Sequence, residues 1–438
     1  MNIPDLSGTI QWKIKKEFIA GFGFCAACFF ILSLYYVLLI VPKYNYMGFA
    51  YMPSVSRTIL TWGLFSLLFG IAFKLLKNEG FLFSIFILLV FFFFIPNAIL
   101  FSYGHAEFSP LIANTIFLII FPLSGLIRFR IPEFKTFQKG NSAALILFAL
   151  IPFAWILFKT GAAINFNTLL LKEIYETREE FSKHISGIAN YSFHLLSKCI
   201  LPVALVLSFT EKKYKLALIP VLMLLVLYLI SGNKLVYFST LIVLFFYFIG
   251  KSFTAKVNSF LFLIALLMMI FPFIDNLLLD QPVLSGTFIN RMLFIPALLN
   301  RFYFDFFMDH HLWFAESNLF SWFIHSPFDK PAGFVIIEHF WNEEGVYGNN
   351  GIVSDGFMNA GWPGVFLFAA GFTVLFSFLK SLRLSQSYFG VYFSYVFVFL
   401  SAPFFSVFIT GGLLVFILFG MFFLRSDEGS YRKNVIPA

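Results

Sequence analysis

The run FSIFILLVFFFFIPNAILF at residues 83–101 carries no charge and no period-2 alternation of polar and apolar positions. About 20 apolar residues are what an α-helix needs to cross a bilayer, and in hydrocarbon every backbone N–H and C=O must be bonded within the chain. The missing alternation excludes a transmembrane β-barrel, so the run predicts a membrane-spanning helix. Composition extends that reading to the whole chain. Of 438 residues, 60% are hydrophobic, 12% are charged and 68 are Phe. An ordinary soluble domain carries about 25% charged residues, so this chain has too little polar surface for a water-soluble globule.

Apolar runs between polar interruptions predict twelve spans, near residues 18–41, 58–73, 80–100, 111–127, 142–158, 191–209, 216–230, 235–250, 257–274, 363–379, 389–405 and 410–424. The expected fold class is therefore an all-α polytopic membrane protein of about twelve transmembrane helices. The first span is expected to stay as an anchor, because it is long and lacks a small-residue cleavage site before the next polar loop. Cys25, Cys28 and Cys199 lie inside apolar stretches and suggest neither a zinc site nor a disulfide framework.

Lys and Arg are retained on the cytoplasmic side of membrane loops. In the twelve-span topology one set of loops holds 19 of the 30 Lys and Arg residues and the other holds 11. This places both termini in the cytoplasm. The net charge of +8 then follows from topology and does not mark a nucleic-acid patch. Two loops on the opposite, outer side are long, 159–190 and 275–362. Loops beyond about 15 residues are usually functional or disordered, and the aromatics and apolar stretches of 275–362 predict a folded cap. The domain organisation expected is a bundle of spans one to nine over 1–274, the cap over 275–362, and spans ten to twelve with a cytoplasmic tail over 363–438.

Within the cap, residues 287–308 (TFINRMLFIPALLNRFYFDFFM) are long enough to pass for a span. A single crossing here would carry Lys380, Arg383, Arg425, Arg432 and Lys433 outside, against the charge rule. On a regular helical wheel Asn290, Arg291, Arg301 and Asp305 share an arc of roughly 100°. An interfacial helix, with Pro296 as its kink, is the expectation.

Polar residues gather in IYETREEF (174–181), SGNK (231–234), the Arg-bearing helix, FIHSPFDKP (323–331), IEHFWNEE (337–344) and NNGIVSDGFMNAGWPG (349–364). Together they are expected to line a cavity at the outer face, open sideways to lipid. Arg178, Lys234, Arg291 and Arg301 suit a diphosphate, which guanidinium groups bind through charge-assisted, bidentate bonds. The competing reading is local: headgroup anchoring, or an Arg301–Asp305 pair at i, i+4. Lys234 is the more telling cation, because a tight turn needs Gly and Asn but no lysine. Acid–base candidates are His325, Asp329, Glu338, His339, Glu343, Glu344 and Asp355. His310 and His311 follow Asp309 in a polar turn and read as solvated surface. IEHFWNEEG lacks the two-His i, i+4 spacing of a helical zinc motif, so neither a metal nor another cofactor is expected, with a carboxylate-bound divalent ion left open.

The acidic-Tyr-x-x-Arg stretch after the fifth span, Gly-Asn-Lys before the eighth, RMLFIPALLNRFYFDFF and NNGIVSDGFMNAGWPG resemble the Wzy-type oligosaccharide repeat-unit polymerases, the O-antigen polymerases. The resemblance covers residues 160–380 and the span count. It implies a multi-pass glycosyltransferase of the bacterial inner membrane with a GT-C-like fold and a large folded periplasmic loop. Its donor and acceptor would be undecaprenyl-diphosphate-linked glycans at the periplasmic face, in O-antigen or related surface polysaccharide biosynthesis. The lipid bilayer, a chain-length regulator and a flippase of the same pathway are the implied partners. Arg178, Lys234, Arg291 and Arg301 would hold the diphosphate, Asn349 and Asn350 the sugar hydroxyls, and Asp355 or His325 would be the base.

The related O-antigen ligases carry a His-Asn pair about eleven residues before a Gly-x-x-Gly. Here Gly361 and Gly364 fit the glycines, while Asn350 stands at the histidine position, which favours polymerase over ligase. A ligase-like enzyme and a lipid-linked oligosaccharide flippase or other transporter are the alternatives. The spans hold almost no ionisable group apart from Lys198, whereas ion-coupled carriers usually keep such groups at mid-membrane.

Overall fold

The computed structural model describes residues 6–104, 106–132, 141–170, 173–275, 277, 283–317 and 320–425. Among them, nine helices are long and apolar enough to cross a membrane: Lys16–Met47, Val55–Leu76, Gly80–Tyr103, Phe108–Gly125, Ser142–Lys159, Gly187–Thr210, Tyr214–Ser231, Phe253–Ile274 and Ile352–Ser381. The described residues contain no named strand, only an isolated antiparallel bridge between Leu384 and Arg425. The described residues form a multi-pass, all-helical membrane protein.

Three of the expected spans are shorter than a crossing. Residues 235–250 form the 15-residue helix Lys234–Phe248, and residues 410–424 form the 10-residue helix Leu413–Phe422. Residues 389–405 are helical over Phe389–Val398, after which the chain turns through 399–403. In the other direction, the helix expected at 363 begins at Ile352, inside the segment read as a loop.

Two compact units divide the chain. One contains residues up to Phe129, Ser252–Lys380 and Val396–Phe404; the other contains Arg130–Lys251, Ser381–Tyr395 and the described residues from Phe405 onward. In the first unit the Gly80–Tyr103 helix is wholly enclosed. Its phenylalanines meet rings from several helices: Phe86 packs edge-on against Phe69 at 5.5 Å, Phe93 stacks on Phe117 at 6.0 Å, and Phe92 meets Phe397 edge-on at 5.4 Å. One of the two most apolar of the long helices is thus core rather than lipid-facing surface. In the second unit, Ala149, Ile156, Phe181, Phe193, Leu227 and Tyr228 belong to one core that joins five helices, Lys234–Phe248 entering it through Val236. Phe181, whose ring lies 4.9 Å from that of Phe193, fastens the short Ile174–His184 helix to the apolar ones.

Prolines shape the helices through a repeated device. Four π-helical segments, Tyr36–Ile40, Val90–Phe94, Leu196–Ile200 and Ser285–Phe294, are each followed two residues later by a proline: Pro42, Pro96, Pro202 and Pro296. A proline cannot donate to the carbonyl four residues back, and its ring clashes with that carbonyl. The residue before each proline instead donates five residues back: Val41 to Tyr36, Ile95 to Val90, Leu201 to Leu196 and Ile295 to Asn290. The wide turn makes room for the ring, and helical hydrogen bonding resumes beyond it.

That device corrects the wheel drawn for 287–308. A π turn advances less per residue than an α turn, so positions on either side of Phe294 are rotated from where a 3.6-residue wheel puts them. Asn290 is 2% exposed, while its neighbour Arg291 is exposed. The expected Pro296 kink is accommodated by the π segment.

The start of this helix is fixed by Asp275. Its buried carboxylate accepts from the backbone N–H groups of Leu284 and Ser285, both at 2.9 Å, and from the Ser285 hydroxyl. Farther along, the Asn300 amide donates to Asn97 Oδ1 at 3.2 Å, coupling the helix to the enclosed Gly80–Tyr103 helix. Removing a carboxylate that satisfies buried donors costs about 1–3 kcal/mol. Asp275→Ala is therefore expected to lower the thermal unfolding midpoint in detergent, and Asp275→Asn to lower it less, because an amide oxygen still caps.

Candidate functional site

In the second unit, SGNK forms the joint between two helices. Gly232 ends Tyr214–Ser231 with φ +58°, Asn233 caps the next helix by accepting from Leu235 N–H at 3.1 Å, and Lys234 is that helix's first residue. The Ile174–His184 helix lies against the joint. Arg178 Nη2 donates to the Gly232 carbonyl at 3.3 Å. The Arg178 guanidinium and the Lys234 ammonium stand 6.0 and 5.9 Å from the Tyr175 ring centroid. Two cations 56 positions apart in sequence therefore each stand about 6 Å from one aromatic ring, beside a helix N-terminus whose dipole also favours an anion.

The opposite face of the same short helix borders a cleft of about 380 Å³, lined by Thr160, Asn165, Glu176, Thr177, Glu180 and His184 among others. Here His184 Nε2 and Glu180 Oε1 are 3.0 Å apart. The helix thus carries Arg178 on one side and Glu176, Thr177 and Glu180 on the other.

In the first unit, Arg301 Nε is paired with Asp305 Oδ2 at 3.2 Å, as the local reading of that residue anticipated. Burial pushes the Asp305 carboxyl above the usual carboxylate value, although Arg301 opposes it. Arg291 is exposed.

The 349–364 segment forms a knot of buried polar groups rather than a solvent-lined loop. Asn349 is exposed, but Asn350 is 3% exposed and its Oδ1 accepts from the Ser354 hydroxyl at 2.6 Å. Asp355 lies in the first helical turn and is also 3% exposed. Its Oδ2 accepts from Phe404 N–H at 3.0 Å, and its Oδ1 accepts from the Asn359 amide at 2.9 Å. The Asn359 Oδ1 in turn accepts from Phe314 N–H at 2.9 Å. The helix then breaks: Ala360 and Gly361 leave helical geometry, Gly361 with φ +62°. A Cβ on Gly361 would stand 2.6 Å from His311 Nε2, and one on Gly364 would strike the Gly356 carbonyl. The glycine pair noted in the sequence serves this sharp re-entry into the apolar helix.

His311 departs from the solvated role expected of it. Its ring packs edge-on against Phe357 at 5.7 Å, and its Nδ1 is buried with no hydrogen-bond partner. Burial, aided by the charge of His310, holds it below the ordinary histidine value. His310 is exposed.

Glu316 was absent from the acid–base candidates. Its carboxylate accepts from Ala332 N–H at 2.7 Å, capping Ala332–Trp341, and burial raises it above the ordinary glutamate value. The charges of Glu316 and Asp355 also push up the phenol of Tyr347, after burial itself. A lone Glu between Ala and Ser gives no periodic cue, so its burial was not readable in sequence. His325 is exposed, as are Asp329, His339, Glu343 and Glu344, while Glu338 is half-buried and pairs with Lys330. Among the described residues no group of three or more His, Cys, Asp or Glu converges as a metal site. The chain matches no protein-family model, no curated protein and no solved structure.

Gly232 makes the two-cation arrangement possible, because a Cβ there would lie 2.7 Å from the Ile174 carbonyl. Gly232→Ala is expected to lower the unfolding midpoint, since a left-handed non-glycine residue costs on the order of 1–2 kcal/mol before any displacement of the neighbouring helix. Arg178→Ala, a truncation at the surface, is expected to stay within about 0.5 kcal/mol of the parent in the same melt.

Proposed function

We propose that this chain is a glycosyltransferase of the polymerase type, which joins lipid-diphosphate-linked oligosaccharide repeat units at the periplasmic face of the bacterial inner membrane. The observation that carries the reading is the placing of both Arg178 and Lys234 beside the Tyr175 ring at a helix N-terminus. A diphosphate presents several oxygens to one small volume, and an arginine fork, an ammonium and helix amides supply complementary donors. Arg291, exposed on the helix started by Asp275, is kept as a separate cation candidate of the first unit. The topology it requires has twelve crossings in a GT-C-like arrangement, with both termini in the cytoplasm. The shorter helices Lys234–Phe248 and Leu413–Phe422 and the broken 389–410 segment then complete crossings together with their flanking turns.

In the reaction an acceptor sugar hydroxyl attacks the anomeric carbon of the donor, the bond to the lipid diphosphate breaks, and a base takes the hydroxyl proton. Cations at the diphosphate stabilise the charge that accumulates on the leaving group. Asp355 is in this reading a positioning residue, because both of its oxygens are already bonded within the protein. His325 keeps the role of base, with Glu316 as its rival. Asn349 is the amide left to meet acceptor hydroxyls, and a chain-length regulator and a flippase are the partners the reaction implies.

The test is polymerisation in proteoliposomes supplied with a lipid-diphosphate-linked repeat unit. Arg178→Ala with Lys234→Ala is expected to abolish chains longer than one repeat at unchanged protein level, and Arg291→Lys to reduce them strongly. Normal polymerisation by the double variant overturns the diphosphate assignment. Movement of the lipid-linked sugar across the bilayer without new glycosidic bonds overturns the enzyme reading in favour of a flippase. For the base, His325→Ala is expected to remove activity and Glu316→Gln to preserve most of it, and the reverse pattern moves the base to Glu316.

A further inference from the structure

Between the polar turn after Phe307 and the Ala332–Trp341 helix, large apolar side chains face outward. Trp322 is 83% exposed, Phe323 85% and Trp313 60%, with Phe320 and Ile324 also exposed. Exposed aromatics at this density are abnormal for a surface that meets only water. Their level in the molecule is fixed by how the chain before them is tied down. Leu312 N–H donates to the Met358 carbonyl at 2.9 Å, and Trp313 N–H donates to the Asn359 carbonyl at 2.8 Å. With the Phe314–Asn359 bond, these place the loop directly on the break at Gly361. Trp313 and Phe314 both hold left-handed backbone, φ +50° and +68°, a conformation costly for bulky side chains and maintained here by those three bonds.

From the tether the loop leads down along the apolar helix, not away from it. The Phe314 ring packs on Phe368 at 6.0 Å and on Phe320 at 5.6 Å. Phe368 lies six residues past Trp362, about 9 Å along a helix rising 1.5 Å per residue. The stretch from Trp362 to Ser381 has the length of a bilayer crossing by itself, so Phe314 meets it below its outer end. At the same depth the helix exposes Phe366 and Leu367, 49% and 59%.

We propose that Trp313, Phe320, Trp322 and Phe323 are a wedge embedded in the outer interfacial layer of the same bilayer that the helices cross. Tryptophan and phenylalanine suit that layer, where an aromatic body sits among acyl chains and an indole N–H reaches the headgroups. The wedge and the exposed face at Phe366 and Leu367 form one lipid-facing band. It stands beside the Gly361 break, so lipid borders from the side the segment that encloses the buried Asp355 and Asn359. This inference depends on the chain being a membrane protein with the Gly361 break toward its outer face, and not on the glycosyltransferase reading.

The three native cysteines are buried, so an introduced thiol can be labelled selectively in the full chain. A nitroxide at Phe323→Cys in nanodiscs is expected to collide severalfold more with oxygen than with a water-soluble nickel chelate, and one at Glu343→Cys to show the reverse. Equal nickel accessibility at the two sites overturns the wedge. A label at 323 shielded from both reagents in native membranes but open to nickel in nanodiscs means that a protein partner covers the patch, and also overturns it. Should Phe323→Cys fail to fold, quenching of intrinsic fluorescence by lipids brominated near the headgroup decides. Trp322→Phe is expected to lower that quenching, and an unchanged value refutes the proposal.

Discussion

A peptide group in hydrocarbon has no water to bond, and each unsatisfied N–H or C=O there costs several kcal/mol. The secondary structure of this protein answers that requirement directly. Where the sequence permits, the answer is uninterrupted helix; where it does not, a side chain or a wider turn supplies the missing partner. The buried carboxylate of Asp355 receives the N–H of Phe404 after the chain has left helical geometry, and Asp275 does the same for two amides at the start of the Arg-bearing helix. Both acidic residues have backbone partners that an apolar environment would otherwise leave unpaired. A buried carboxylate is thus as readily a backbone capping group as a reactive one, and only its partners distinguish the two.

The charged side chains follow a complementary logic. With few acidic or basic residues available, those that stand together do so by design of the fold rather than by density. Arg178 and Lys234 approach one tyrosine because Gly232 lets two backbones come close and because Phe181 anchors the short helix in the core of its unit. Core packing, a glycine turn and a helix terminus therefore converge on a single electrostatic feature. An anion there would meet fixed groups, with little reorganisation left to make on binding.

How much of this was legible in the sequence divides along physical lines. Long apolar runs report helices, because a helix is the only open structure that hydrocarbon tolerates, and the nine long helices lie where those runs do. The same runs do not report which helix is enclosed: the phenylalanine run at 91–94 is core, yet nothing in its composition separates it from a lipid-facing stretch. The helix starting at Ile352 was hidden because Asn350, Ser354, Asp355 and Asn359 look like a loop until their mutual bonds are seen. Arg301 could be paired with Asp305 from spacing alone, since i, i+4 neighbours meet on any regular helix. Arg291 could not be oriented so, because a π segment intervenes. His311 and Glu316 owe their burial to contacts between distant segments, to which local sequence is blind.

The proline-linked π segments carry a further consequence for how this chain varies over time. A π turn holds one residue more than the α-helix around it needs, so residues 36–40, 90–94 and 196–200 are places where the helix already tolerates a surplus. Losing one residue there together with the proline returns the turn to regular α-helix and nearly keeps the faces on either side, while losing one elsewhere in the same helix turns the remainder by about one α-helical step of 100°. Single-residue gaps in alignments of this chain with its relatives should therefore fall inside the membrane helices, just ahead of these prolines, and not in the loops alone. An alignment method that forbids gaps in apolar helices would misplace every side chain between such a joint and the next loop.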